Sequence, residues 1–372
     1  MLSLIELKAK MLCEGVNADT AAEELFRQQN PSNVKRGGLS SGGKMKLGDK
    51  LFVNAPFYRK REVDLKVIAD PTRERGVLIC QGNEVLCKGE ALLAPKWYGK
   101  KADGFPITKI LTAHNRQLAG AVYEDCELFG IGEECQFCVM NHSLKDETFH
   151  PPKDKQNHLV LKAPSYFLSA LQQIPVRDYG GLTLNGGMTL HPGRGMELIG
   201  STVQAVHMAY PDLPIAVELA PPADLNWIDR LAKAGVSSMM MNLECWDPEI
   251  RARLIPGKNK YCDRLMYLKA FERALKVLGP GRVTTCFVVG TEPVESLKEG
   301  IREVVGMGAI PSPLAGRYFE DVPNYPFAPN ADYRKFLDIL AYAAMLMRAQ
   351  GILSTDKAGC VACGMCDLIR DL

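Results

Sequence analysis

Six of the twelve cysteines in this chain fall into two short groups whose spacing is typical of metal sites. Cys126, Cys135 and Cys138 form the first group, and the last two of them stand in a C-x2-C pair. Such a pair places two thiolates on one metal ion or on neighbouring irons of one cluster, and the loop before it brings in the third thiolate. Two sites fit this pattern. One is a [4Fe–4S] cluster with one iron left without a protein ligand, and the other is a zinc site completed by a residue such as His142.

Cys360, Cys363 and Cys366 form the second group, which has the C-x2-C-x2-C start of a ferredoxin-type run without its C-x3-C-P completion. A second cluster here takes a fourth ligand from elsewhere in the protein, from the substrate, or not at all. Zinc with a distant fourth ligand is the alternative. Scattered thiols are typical of small core residues rather than metal ligands. The remaining six cysteines are of that kind: Cys13, Cys80, Cys87, Cys245, Cys262 and Cys286.

The composition is that of a globular protein, since 47% of the 372 residues are hydrophobic and 24% are charged. A net charge of +2 gives no field that favours nucleic acid or an anionic membrane. The longest strongly apolar run, Ile339–Met347, is too short to span a bilayer, and Met1–Leu12 lacks the features of a signal peptide. We therefore expect a cytoplasmic protein, in which clustered cysteines favour metal chemistry over disulfides.

The alternation of strand and helix patterns predicts an α/β fold built on a partial (β/α)6 TIM-like barrel, because parallel strands need crossover helices. A small N-terminal α+β section is predicted at 1–106, the barrel at 107–350, and a C-terminal cysteine-rich tail at 351–372. The predicted barrel strands are Gln117–Tyr123, Gly181–Leu184, Ile215–Leu219, Ser237–Leu243, Val283–Val289 and Ala309–Pro313. The predicted helices are 163–174, 195–209, 224–234, 261–277, 293–305 and 331–350. Chemistry is expected at the carboxyl ends of the strands.

Cys126 comes just after the first barrel strand, and Phe137 stands just before Cys138. This arrangement resembles the radical S-adenosylmethionine (radical SAM) superfamily over residues 107–330, although the first spacer is longer than usual, with eight residues between Cys126 and Cys135. The resemblance implies that these cysteines hold a [4Fe–4S] cluster whose open iron chelates the methionine part of SAM. One electron, from a donor such as flavodoxin or ferredoxin, then cleaves the sulfonium, and the 5′-deoxyadenosyl radical abstracts hydrogen from a small-molecule substrate. Phe137 is implied to lie against the adenine.

Two further stretches extend the resemblance. The segment Asn185-Gly186-Gly187-Met188 is similar to the Gly-Gly-Glu element of the superfamily, with Met188 in place of the glutamate. By resemblance, its backbone carbonyls meet the methionine amino group, and glycine permits that close approach. Val288 and Gly290 end the fifth strand and resemble an adenine-packing segment.

Acidic and basic side chains complete the predicted mouth of the barrel. Glu218 ends the third strand at a position that resembles the ribose ligand, and Glu244 ends the fourth strand, where it is expected to bind SAM or substrate. For both glutamates, a structural salt bridge is the alternative. Beyond the fourth strand, Arg253 and Lys258 are candidates for binding a carboxylate or phosphate. Arg251 is expected on a solvated helix face.

Several of these features together resemble a narrower, biotin-synthase-like group of radical SAM proteins encoded beside nitrilases. They are Gly186-Gly187, Glu218, Pro221-Pro222, Glu244, Pro256-Gly257-Lys258 and the terminal cysteine run. Three functions follow from the sequence. The first is a radical SAM enzyme whose auxiliary iron–sulfur cluster accepts an electron. The second is a sulfur-inserting synthase that consumes that cluster. The third is a zinc-stabilised barrel whose cysteine tail binds a partner protein.

Overall fold

The computed structural model describes residues 2–28, 42–138, 140, 160–320, 326–327, 332–352 and 359–372. His142, the residue proposed to complete a zinc site, lies outside the described residues. Within those residues, no helix is both long enough and apolar enough to cross a membrane.

The N-terminal section is a six-stranded sheet with two helices. Its strand order is β1-β4-β5-β6-β2-β3, in which β1 pairs with β4 in parallel and the other pairs are antiparallel. The first helix begins with a capping box, in which Ser3 and Glu6 satisfy each other's free backbone N–H groups. Its elements are α1 Leu4–Glu14, β1 Asn17–Ala18, α2 Thr20–Gln28, β2 Gly43–Leu47, β3 Leu51–Ala55, β4 Leu65–Ala69, β5 Gly76–Gln81 and β6 Glu84–Ala91.

A seven-stranded sheet in the order β15-β14-β13-β12-β11-β10-β9 forms the main body of the chain. The six strands from β10 to β15 run parallel, and β9 adds an antiparallel edge strand. A small hairpin, β7 Lys101–Ala102 and β8 Phe105–Pro106, precedes the sheet. The strands of the sheet are β9 Thr112–His114, β10 Gln117–Tyr123, β11 Gly181–Gly186, β12 Ile215–Glu218, β13 Val236–Met240, β14 Val283–Val289 and β15 Ile310–Ala315.

Helices connect these parallel strands, as a right-handed β/α fold requires. Within each helix, apolar residues recur at the helical period and form the face that packs against the sheet. The described helices are α3 Glu127–Gly130, α4 Pro164–Gln172, α5 Met196–Ala209, α6 Asn226–Ala234, α7 Pro248–Leu254, α8 Pro256–Tyr261, α9 Arg264–Leu278, α10 Val294–Met307 and α11 Tyr333–Ala349. Six parallel strands with crossover helices confirm the predicted partial (β/α)6 barrel, preceded by an α+β section and followed by a cysteine-rich tail.

Strand register fixes which side chains share the inner face of the sheet. Asn185, Glu218 and Met240 are aligned on β11, β12 and β13, at the carboxyl ends of these strands. Thr183, Ala216 and Ser238 form the aligned row two residues earlier, and side chains two residues apart point to the same face. The inner face therefore has a row at the carboxyl ends and a second row beneath it.

Candidate active site

The first cysteine group lies where β10 ends. Cys126 is the residue before α3, and its backbone N–H donates to the Asp125 carboxylate at 2.7 Å. The Cys138 N–H donates to the Cys135 carbonyl at 3.0 Å, which closes the C-x2-C segment into a turn. Burial, and then the negative charge of a Cys126 thiolate, raise the pKa of Cys138 to about 11. The structure thus brings the three thiols into one electrostatic environment at the carboxyl edge of the sheet.

Two helices hold the loop that carries these cysteines. The Gln136 N–H donates to the Leu254 carbonyl at 2.8 Å, and the Gly257 N–H donates to the Glu133 carbonyl at 3.0 Å. A side chain on Gly257 would collide with the same loop, because a Cβ there would lie 2.5 Å from the Glu133 carbonyl oxygen. The long spacer between the first two cysteines is therefore docked against α7 and α8.

The Gly186-Gly187 segment packs directly under the first cysteine. A Cβ on Gly187 would lie 1.8 Å from the Asp125 carbonyl oxygen and 2.8 Å from Cys126 Cβ, so glycine is required for this close approach. The next carbonyl, that of Met188, accepts the Glu127 N–H at 2.9 Å, and the Met188 side chain is buried. The structure places Gly187 and Met188 against the cysteine segment and Gly186 against Tyr123 of β10.

Glu218 faces the interior of the barrel and has a partner that its sequence context does not reveal. Asn242 Nδ2 donates to Glu218 Oε1 at 2.8 Å, while Asn242 Oδ1 accepts the Cys286 N–H at 3.1 Å. Burial raises the pKa of Glu218. Asn242 lies within the predicted strand Ser237–Leu243, whereas the observed strand ends at Met240, so no sequence signal indicates that this amide faces Glu218.

Glu244 combines backbone strain with an incompletely satisfied carboxylate. Its φ is +67°, a left-handed value that non-glycine residues rarely adopt and that is concentrated at functional sites. Oε1 accepts Lys258 Nζ at 2.8 Å, whereas Oε2 is buried and has no partner among the described residues. Only 8% of the residue is exposed. The salt bridge expected as one alternative for Glu244 is present, and it leaves one carboxylate oxygen for a ligand.

Lys258 links that carboxylate to the cysteines. Burial opposes its charge, but the Glu244 carboxylate more than offsets burial, so the pKa of Lys258 lies well above its ordinary value. In turn, the Lys258 ammonium lowers the pKa of Cys126, Cys135 and Cys138, although burial raises all three overall. A permanent cation therefore lies close enough to the three thiols to favour their thiolate forms.

The two arginines of α7 differ from their predicted surroundings. Arg251, expected on a solvated face, is 0% exposed, and its guanidinium donates to the carbonyls of Leu243, Cys245 and Cys262 at 2.6, 3.0 and 3.2 Å. These carbonyls lie in irregular segments around α7, and buried carbonyls need hydrogen-bond donors. The Arg251 guanidinium provides those donors, which explains why this charged side chain is buried. Arg253 is exposed on the opposite side of the helix.

Phe137 and Val288 meet inside the barrel. Together with Met240 and Cys286 they form an apolar cluster, and the Phe137 ring stacks on Phe327 with centroids 5.5 Å apart. The Val288 carbonyl accepts Thr291 Oγ1 at 2.7 Å. Gly290 follows with φ +102° and is exposed. The aromatic residue of the first cysteine loop thus reaches the strand end that the resemblance assigns to adenine.

The second cysteine group lies in the same interior of the barrel, against the row of side chains beneath the carboxyl-end row. Gly359–Cys363 forms a 3₁₀ turn on the inner face of the sheet, where a Cβ on Gly359 would lie 2.8 Å from Ala216 Cβ. Cys360 packs against the apolar cluster of Met240, Cys286 and Val288, which Phe137 also contacts. The two cysteine groups therefore share one buried interior.

The N-terminal section holds this tail in place. Lys8 Nζ donates to the Gly364 carbonyl and to the Asp371 carboxylate, each at 2.6 Å. On β3, the Asn54 N–H donates to the Met365 carbonyl at 3.0 Å. The backbone between Cys363 and Cys366 is therefore fixed by the first helix and by a strand of the N-terminal sheet.

Positive charge surrounds the second group of thiols. Arg317 Nη2 lies 3.8 Å from Cys366 Sγ and donates to the Asn54 carbonyl at 2.6 Å. Burial, and then the charge of Cys366, raise the pKa of Cys363 to about 12. Lys44 on β2 is a second cation near these thiols. Burial lowers its pKa, and the charges of Cys363 and Cys366 offset part of that effect. An anionic group bound by these thiols would find cations close by.

Within the described ranges, no three His, Cys, Asp or Glu side chains converge as ligands of one metal ion. Thiolates of an iron–sulfur cluster each bind a different iron and so do not converge on one point, in contrast to the ligands of a structural zinc ion.

Comparison with known proteins gives one curated relative and several solved structures. The chain is 25% identical over 267 residues to bacteriochlorophyllide c C-7(1)-hydroxylase of Chlorobaculum limnaeum, which covers 67% of this chain and 65% of that protein. The FeFe-hydrogenase maturase HydG of Carboxydothermus hydrogenoformans is 17% identical, with a TM-score of 0.44, over 63% of this chain and 52% of its own. A radical SAM methyltransferase from Sphaerobacter thermophilus is 14% identical, with a TM-score of 0.46, over 78% and 76%.

The matched region spans less than two thirds of the hydroxylase and of the maturase. No family model matches the chain. These comparisons state what the chain is similar to, and the observed barrel is the fold that the first cysteine group led us to expect.

Proposed function

We propose that this chain is a radical SAM enzyme that holds a [4Fe–4S] cluster on Cys126, Cys135 and Cys138 and cleaves SAM to generate a radical that acts on a small organic substrate. The observation that carries the proposal is the grouping of these three thiols beside Lys258 and the strained Glu244, at the carboxyl end of the first parallel strand. When bound, the cluster supplies one electron that breaks the SAM sulfonium, and the 5′-deoxyadenosyl radical removes hydrogen from carbon.

The residues around the three thiols fit a cluster with an open iron. Three protein thiolates leave one iron for another ligand, which distinguishes a catalytic cluster from one closed by the protein. The Lys258 ammonium offsets part of the negative charge that thiolates and cluster bring into this buried place. Docking of the loop on α7 and α8 sets the cysteine geometry before any cofactor binds.

Several side chains are proposed to position SAM. The Gly186-Gly187 backbone, which approaches Cys126 closely, would receive the methionine amino group. Glu244 Oε2, buried without a partner among the described residues, would accept one donor from SAM or from substrate. Glu218 has one oxygen fixed by Asn242, and its other oxygen is proposed to accept a ribose hydroxyl.

The adenine is proposed to lie between the first cysteine loop and the end of β14. Phe137 already packs in this region against Val288, and an aromatic face beside an aliphatic side chain suits a flat heterocycle. A Cβ added to Gly290 would meet nothing within 4 Å, so the strand end leaves room for such a ring.

A second iron–sulfur cluster is proposed on Cys360, Cys363 and Cys366. Support comes from the mutual influence of their charges, which places them in one electrostatic environment, and from the neighbouring cation of Arg317. Acceptance of an electron from a substrate radical is the role we favour, because the curated relative is named for hydroxylation, which replaces hydrogen on carbon and is a net oxidation. Consumption of the cluster as a sulfur source is the alternative role, and a sulfur-containing product would identify it.

The proposal is tested by anaerobic reconstitution and SAM cleavage. Wild-type protein should be brown, bind about eight irons if both clusters have four, and release 5′-deoxyadenosine when reduced by dithionite or by flavodoxin or ferredoxin. Cys135→Ala should lose about four of those irons and all cleavage. Cys80→Ala, which removes a buried thiol of the N-terminal sheet, should behave as wild type. A colourless protein that carries only zinc after reconstitution would falsify the proposal.

A further inference from the structure

The second cysteine group provides three thiolates, whereas a four-iron cluster has four irons to be liganded. A fourth ligand must be near all three thiols, buried with them, and have a lone pair that no other group uses. Carboxylate oxygen is an established ligand of iron in proteins, so acidic side chains qualify as well as sulfur. Among the described residues, the carboxylates whose charges act on Cys360 or on one another here include Asp367, Asp371 and Glu218.

Asp367 directly follows Cys366 in the chain, and it is both buried and incompletely hydrogen-bonded. It is 4% exposed, and Ser312 Oγ donates to its Oδ2 at 2.7 Å. Its other oxygen, Oδ1, is buried and has no partner among the described residues. A buried carboxylate with one unused oxygen is costly unless a cation or donor approaches it. The serine fixes the orientation of the carboxylate and leaves Oδ1 available.

The charge of Asp367 reaches the whole group. After burial and other contributions, this carboxylate raises the pKa of Cys360, Cys363 and Cys366 alike. An iron ion in contact with Oδ1 would add a counter-charge at the carboxylate.

The other two carboxylates are already engaged. Asp371 forms an ion pair with Lys8 at 2.6 Å and is more exposed than Asp367. Glu218 influences the pKa of Cys360, but it belongs to the carboxyl-end row of the barrel, where Asn242 binds Oε1 and the proposed function assigns the other oxygen to the ribose.

We propose that Asp367 Oδ1 binds the fourth iron of the C-terminal cluster, so that Cys360, Cys363, Cys366 and Asp367 form a complete ligand set. This inference rests on the second cluster of the proposed function. A cluster closed in this way has no open iron for substrate, which suits electron transfer. Its one oxygen-liganded iron is held less tightly than the three that thiolates bind.

The test counts iron and records electron paramagnetic resonance spectra in a Cys135→Ala background, where the tail holds the only cluster. That background should bind about four irons. Adding Asp367→Ala, or the isosteric Asp367→Asn, should leave about three irons after mild oxidation, with the signal of an oxidised three-iron cluster. Adding Asp367→Cys should retain four irons and shift the spectrum of the reduced cluster.

Ser312→Ala is the matched control, because it removes the hydrogen bond to Asp367 and keeps the carboxylate. It should retain about four irons. The inference fails if Asp367→Ala and Asp367→Asn keep four irons and an unchanged spectrum, or if Ser312→Ala loses iron to the same extent. If the Cys135→Ala background binds no iron at the tail, the second cluster of the proposed function is itself wrong. Iron binding that is indifferent to Asp367 overturns the ligand assignment alone.

Discussion

Removal of the Lys8 ammonium should detach the cysteine tail from the N-terminal section. The Lys8 side chain is 0% exposed, and its ammonium joins the Gly364 carbonyl to the Asp371 carboxylate. Lys8→Met keeps the length and apolar stem of the side chain and removes the charge. Both acceptors then lose their donor in a place that water reaches poorly.

The magnitude follows from the burial of the pair. Breaking a buried ion pair by removing one partner costs about 3–5 kcal/mol, because the other charge stays behind without compensation. The Asp371 side chain is 17% exposed, so water recovers part of that loss. We therefore expect Lys8→Met to lower the free energy of unfolding by about 3 kcal/mol. Double substitution with Asp371→Asn should recover part of this loss, since no charge is then left unpaired.

The assay is denaturant unfolding of the metal-free protein under reducing conditions, followed by iron analysis after reconstitution. Lys8→Met should lose iron from the second cluster and keep SAM cleavage by the first. Lys66→Met is the control, because Lys66 is exposed on β4 of the same sheet and its loss should change stability by less than about 0.5 kcal/mol. The reasoning is refuted if Lys8→Met unfolds like Lys66→Met and retains full iron.

Two further predictions concern the barrel mouth. Gly187→Ala, whose Cβ would lie 1.8 Å from the Asp125 carbonyl oxygen, should lose cluster iron and SAM cleavage with an unchanged circular dichroism spectrum. Gly130→Ala is the control, because a Cβ there meets nothing within 4 Å. Equal iron content and activity in the two variants would contradict the close approach at Gly187. Burial raises the folded-state pKa of Glu218 above its ordinary value of 4.5, so the folded protein binds this proton more tightly than the unfolded chain does. Metal-free protein should therefore become less stable as the pH rises from 4.5 through the folded-state pKa. Glu218→Gln should remove this dependence of the free energy of unfolding on pH, which urea unfolding at several pH values measures. Parallel curves of unfolding free energy against pH for variant and wild type would refute the prediction.

The barrel is predictable from the sequence because the signals of its strands are local. The bounds of β10 and β14 match the predicted Gln117–Tyr123 and Val283–Val289, and every residue of β14 is buried. A strand covered on both faces gives a continuous apolar run, and the helices between strands give a clear helical period. Such signals lie within a few residues and need no knowledge of distant partners.

Features that depend on distant contacts were not predicted. Lys8 bonds to Asp371 across 363 positions, and nothing near either residue signals the pair. The sequence predicts a solvated helix face for Arg251, yet three carbonyls from neighbouring segments accept hydrogen bonds from it in the interior. The left-handed backbone of Glu244 is equally unexpected, since glycine, asparagine and aspartate are the usual residues at such values.

The approach of the first cysteine loop and of the tail to one apolar cluster gives the N-terminal section a structural role. Phe137 from the first loop and Cys360 from the tail pack on the same cluster of Met240, Cys286 and Val288. A tail in that position must be held from outside the barrel, because its own 3₁₀ turn is too short to be stable alone. Lys8 and β3 provide that support. The α+β section is therefore best understood as the scaffold of the second cysteine group rather than as an independent unit.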